Sequence, residues 1–214
     1  MALFGIAPDV MKPTALTLNI LVATIATVKF YRANCFSWSA FWPFALTSIP
    51  FSFLGGALSL PGSIYTPLVG VVLLYAAYRL FVAKPVNTAQ EVKPIPLWAA
   101  LVAGAGIGLL SGLTGVGGGI FLSPLLLSMG WAETRQTSGV SAAFILVNSA
   151  AGILGHRSSV TFLPGVILVW AIAAAIGGWI GAEYGSKRIG NTTIQQLLAI
   201  VLVMAGLKMI LMPA

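Results

Sequence analysis

LLSGLTGVGGGIFLSP, Leu109 to Pro124, is an apolar run interrupted by Gly112, Gly115, Gly117, Gly118 and Gly119 and closed by Pro124. Inside a helix, glycine costs roughly 1 kcal/mol against alanine and proline about 3, so the stretch predicts a helix that opens. At membrane depth, opened backbone is tolerated where protein buries it or where it lines a watery cavity. A binding site on a broken helix is one expectation. Close packing of helices through small residues is the other, and the glycines alone leave both open.

The rest of the chain places this break in a bilayer. The 214 residues are 58% hydrophobic and 7% charged, with a mean hydropathy of +0.99, far outside the composition of soluble domains. An all-α, polytopic membrane protein is expected. The N-terminal residues include Asp9 and Lys12 and show no basic region leading into a short apolar core, so no cleavable signal peptide is predicted. Cys35 is the lone cysteine and can form no intrachain disulfide. The net charge of +7 comes from eleven Lys and Arg against four acids, which suits membrane orientation and gives no reason to expect a nucleic-acid partner.

Asp9, Glu91, Glu133 and Glu183 all lie in or beside polar stretches. A proton or cation pathway through buried carboxylates is therefore not expected. His156, beside Arg157 at a span end, has no second His, Cys or carboxylate near it in sequence and reads as an interfacial residue rather than a metal ligand. One His, one Cys and four peripheral acids assemble neither a nucleophile with its base nor a metal cluster. No enzymatic activity, cofactor or metal is expected.

With about 18 apolar residues as the least that spans, seven long spans are predicted at 14–31, 41–60, 64–83, 97–119, 138–155, 162–183 and 193–212. Ile120 to Gly130 is too short for an ordinary span and is expected as a broken half-helix or a re-entrant segment. Pro43, Pro50 and Pro67 should kink the second and third spans. Lys84 to Pro96 is the one long polar linker. Across it the two parts match under a shift of 125 residues: Gly5 meets Gly130, Leu21-Val22 meets Leu146-Val147, Arg32 meets Arg157 and Gly56-Ala57 meets Gly181-Ala182. The matched order of spans and loops predicts two repeats, 1–83 and 97–214, with 84–96 as a cytoplasmic linker.

If the chain crosses through 97–119 and returns through 120–134, Lys29, Arg32, Arg79, Lys84, Lys93, Arg135, Lys187 and Arg188 share one side. Lys12, Arg157 and Lys208 occupy the other. Eight against three makes the first side cytoplasmic, and five crossings in the second part make the repeats inverted. A single crossing would leave seven against four.

From Gly108 to Gly130, GLLSGLTGVGGGIFLSPLLLSMG, followed by Arg135 and by SAAFILVNSAAGILG from Ser141 to Gly155, the chain resembles the sulfite exporter TauE/SafE family of bacterial membrane permeases. The resemblance is strongest over 97–212. It implies a multi-pass inner-membrane carrier that exports sulfite or another sulfur-containing or organic anion by alternating access. Members of that family usually carry a glycine-rich motif in each repeat, whereas MALFG at the start aligns with Leu126 to Gly130. The first repeat is thus expected to be incomplete, the chain being either an N-terminally truncated reading of a longer gene, with the motif upstream of Met1, or a shortened member that would be unstable or recruit a second copy.

An anion in a membrane needs donors and the positive end of a dipole, and the second half of a broken helix offers both. Gly115, Gly117, Gly118 and Gly119 leading through Pro124 are the expected cradle, with Ser111, Thr114 and Ser123 as hydroxyl donors. Asn148 and Ser149 form the other polar pair at membrane depth and fit ligand contact or interhelical hydrogen bonding equally. Ser138 and Ser141 stand near Arg135, which could draw an anion to the cytoplasmic mouth or serve only as an orientation signal. A passive anion channel and a non-transporting assembly subunit are the alternatives.

Overall fold

The structure, a computed structural model, describes residues 8–58, 70–71, 73–75, 77–78, 81–82, 92–156, 167–187 and 191–211. Among these residues the only regular structure is helical. Long helices run over Pro8–Arg32 (α1), Trp38–Ala57 (α2), Leu97–Thr114 (α3), Gly119–Met129 (α4), Thr134–Gly155 (α5), Ile167–Lys187 (α6) and Asn191–Leu211 (α7). Residues 70–82 add helical positions in part. Four segments are long and apolar enough to cross a bilayer: Pro13–Arg32, Leu97–Thr114, Thr134–Gly155 and Ile167–Ser186. Most of the expected span at 64–83, including Pro67, and the linker over 84–91 lie outside the described residues.

The expected span at 97–119 stops five residues early, because Gly115 takes φ 70° and caps α3 through its N–H to the Ser111 carbonyl. Only a residue without Cβ enters that left-handed region freely. Gly118, at φ 76°, starts α4, and Gly130, at φ 69°, ends it. α2 runs unbroken through Pro43 and Pro50.

α5 is the hub, packing against α1, α2, α3, α4 and α7, and α2 makes its broadest contact with α3. Phe44, Leu122, Leu126, Val140 and Phe144 are fully buried between these helices. Contacts near the helix ends fix the directions. Gly139, early in α5, packs on the Cys35 carbonyl just after α1, while Gly152 packs on Leu16 near the start of α1. α1 and α5 are therefore antiparallel. Lys29 of α1 pairs with Glu183 of α6, and Val22 meets Gly178, so α1 and α6 run parallel. α2 leaves the Cys35 end and reaches α5 at Gly155 through Phe53, which sets it antiparallel to α6.

The broken segment turns back on itself. Lys93, just before α3, donates its N–H to the Gly130 carbonyl at 3.0 Å, so α4 returns toward the end from which α3 departed. α3 has 18 residues and α4 has 11, or about 27 Å out and about 16 Å back at 1.5 Å per residue.

Candidate functional site

The break at 115–118 lies against the middles of two helices. Asn19 of α1 donates its side-chain N–H to the Gly115 carbonyl at 3.3 Å, satisfying one of the acceptors that a helix end exposes. On the other side stands α5. A Cβ on Gly117 would meet Ile145, the Ser149 hydroxyl at 3.0 Å and the Asn19 amide at 3.4 Å. A Cβ on Gly118 would meet Phe144 at 3.0 Å and Ser111 at 3.2 Å. With φ at 83° and 76°, these two glycines bring bare backbone to the hydroxyl-bearing faces of α3 and α5.

The first turn of α4 opens onto this place. Gly118 gives the helix no side-chain cap, and the first helical bonds run from the Phe121 and Leu122 N–H groups to the Gly118 carbonyl. The N–H groups of Gly119 and Ile120 precede any intrahelical acceptor. They carry the positive end of the helix dipole.

The polar residues around the break fall into two groups. Ser123 and Ser141 bond to each other at 2.8 Å, and Ser123 also donates to the Gly119 carbonyl at 2.9 Å. They tie α4 to α5. Thr114 closes the end of α3, its hydroxyl accepting from the Val116 N–H at 3.4 Å. Gly119 is a packing position, since a Cβ there would stand 2.5 Å from Ile145 and 2.8 Å from the Ser141 carbonyl. Pro124 is buried inside α4, where it leaves the Ile120 carbonyl without its usual donor.

The second group keeps unused capacity. Ser111 and Ser149 are wholly buried and their hydroxyls have no hydrogen-bond partner among the described residues. Asn148, equally buried, donates to the Phe144 carbonyl at 2.9 Å, which fixes the amide so that its oxygen is the unused atom. Ser52 of α2 donates to the Asn148 backbone carbonyl at 2.8 Å and anchors that turn. Ser138 bonds within α5 to the Thr134 carbonyl, one turn or more from the break. Arg135 lies at the Cys35 end, where it bears on the Cys35 thiol. His156 faces the Gly56 carbonyl through Nδ1 at 3.1 Å and joins α5 to α2.

Neither Asn19 nor Ser52 stands out in the sequence. Each is one of several small polar residues scattered along an apolar helix, and its value comes from a partner 96 residues away in the chain.

A chain whose described residues are all helical or irregular, with four helices long and apolar enough to cross a bilayer, defines a multi-pass membrane protein. The chain belongs to the sulfite exporter TauE/SafE family, whose pattern it matches over residues 1–209. It is 39% identical to the "Probable membrane transporter protein y4hK" of Sinorhizobium fredii, over 98% of this chain and 86% of the relative. It is also similar to two proteins with the same description, YunE of Bacillus subtilis and MJ0441 of Methanocaldococcus jannaschii. The first is 23% identical over 96% of this chain and 82% of the relative, the second 25% over 97% and 82%. No solved structure matches.

Proposed function

We propose that the chain is a permease that exports a small anion, sulfite or a related sulfur-containing organic anion, from the cytoplasm across a bacterial inner membrane by alternating access. The single observation behind this is the pair of buried hydroxyls of Ser111 and Ser149, without a partner among the described residues, beside Gly117 and Gly118 at the start of α4. Two hydroxyls lie beside these glycines, at the helix end that carries the first-turn N–H groups and the positive end of the dipole. Such a set suits an anion and costs stability when nothing fills it. The family's description as sulfite exporters supports sulfite as the first substrate to test.

The same proposal takes the architecture as seven spans and a re-entrant α4, in two inverted repeats, 1–83 and 97–214, around a cytoplasmic linker at 84–96. The antiparallel settings of α1 against α5 and α2 against α6 support it, because the 125-residue shift makes each of those pairs equivalent. The grouping of Lys29, Arg32, Lys93 and Arg135 at one end supports calling that end cytoplasmic.

The test is sulfite efflux from proteoliposomes holding the purified protein. Flux that saturates with concentration and accelerates when sulfite is added on the far side is the expected result. Saturation without acceleration favours a channel, and no flux of any sulfur-containing anion favours an assembly subunit.

A further inference from the structure

Beginning about 8 Å from the helix break along α1 and reaching to about 20 Å, a cavity of about 440 Å3 opens between α1 and α6. Its lower wall is apolar, made by Ile25, Val28 and the exposed face of Trp179. Its upper end is charged. Lys29 sits over the Trp179 ring at 3.8 Å and pairs with Glu183, so those two charges cancel. Arg32, one turn further toward the end of α1, also lines the cavity and has no carboxylate partner among the described residues. The cavity therefore carries one uncompensated positive charge above an apolar slot, over seven residues of helix or about 10 Å.

That vertical order is the order of a phospholipid, with its phosphate at the level where basic residues leave the membrane and its chain below. Basic pockets between spanning helices on the cytoplasmic side suit anionic headgroups, and tryptophan favours the interface level. A small transported anion has no use for the apolar wall. We infer that this cavity binds an anionic phospholipid, with its phosphate on Arg32 and an acyl chain against Ile25, Val28 and Trp179.

The shared chemistry is a phosphate group, and the experiment separates lipid from free phosphate. Full-length protein in nanodiscs of equal phosphatidylglycerol and phosphatidylcholine is released and its retained lipids are counted by native mass spectrometry. Phosphatidylglycerol should be retained in preference, and Arg32→Gln, a change at an exposed side chain, should lower that retention about fivefold. Glu183→Gln, which leaves Lys29 uncompensated, should raise it. Equal retention of the two lipids, or an unchanged preference in Arg32→Gln, would overturn the inference. Displacement of phosphatidylglycerol by millimolar glycerol phosphate would also overturn it and would make the site one for soluble phosphates.

Discussion

Ser111 and Ser149 each bury a hydroxyl that nothing among the described residues pairs with, and leaving such a group unsatisfied costs about 1–3 kcal/mol. If these side chains served packing alone, their hydroxyls would only weaken the fold. Ser149→Ala should therefore leave thermal stability unchanged or raise it by a few degrees, measured by melting of the detergent-solubilised protein. A drop would make the hydroxyl structural. The sequence marked Ser149 and Asn148 as polar residues at membrane depth but could not divide ligand contact from interhelical bonding, because that depends on what stands opposite. Ser123 and Ser141, equally marked, stand opposite each other. Asn19 gave no sign at all, since its acceptor is the Gly115 carbonyl, an atom that becomes available only once the helix has broken.

At the scale of the element, the glycines do two jobs. Gly104, Gly108 and Gly112 fall every fourth residue on the face of α3 that meets α2, where added Cβ atoms would run into the backbone of Phe44, Ser48 and Ser52. Gly115, Gly117 and Gly118 follow at closer spacing and take positive φ. Close packing thus accounts for Gly104, Gly108 and Gly112, and the opening of the backbone for the adjoining Gly115, Gly117 and Gly118. The break itself was legible because five glycines and a proline tax any helix. The early stop at Thr114 was not, because which glycine turns left-handed depends on the packing of α2 against α3. Gly108→Ala should cost about 1–3 kcal/mol by overpacking and reduce the folded yield in fluorescence-detected size-exclusion chromatography. Gly106→Ala, where a Cβ meets nothing within 4 Å, should be neutral or stabilising by about 0.5–1 kcal/mol. Equal losses at both positions would contradict the assigned faces.

On the whole-molecule scale, composition alone pointed to a helical membrane protein, and the order of spans anticipated helices α1, α2, α5, α6 and α7 to within six residues at each end. Cys35, the sole cysteine, reports on orientation. It lies between α1 and α2 at the end that also holds Arg135 and Glu133, and burial is the main cause that pushes its thiol above the ordinary value, with Glu133 adding and Arg135 opposing. A membrane-impermeant maleimide should label it from the cytoplasmic face only, slowly at neutral pH and faster as pH rises, because the thiolate is the reactive form. Glu133→Gln should speed labelling at neutral pH. Labelling of intact cells from outside would reverse the orientation. We propose that a small anion is held where α3 breaks into α4. The most direct test is the sulfite concentration giving half-maximal accelerated efflux from proteoliposomes that carry matched amounts of wild-type protein and the Ser111→Ala, Ser149→Ala double variant. Hydrogen bonds to a charged ligand contribute about 1.5–3 kcal/mol each, so loss of two should raise the sulfite needed by the double variant at least about a hundredfold; an unchanged half-maximal concentration would contradict this placement of the anion.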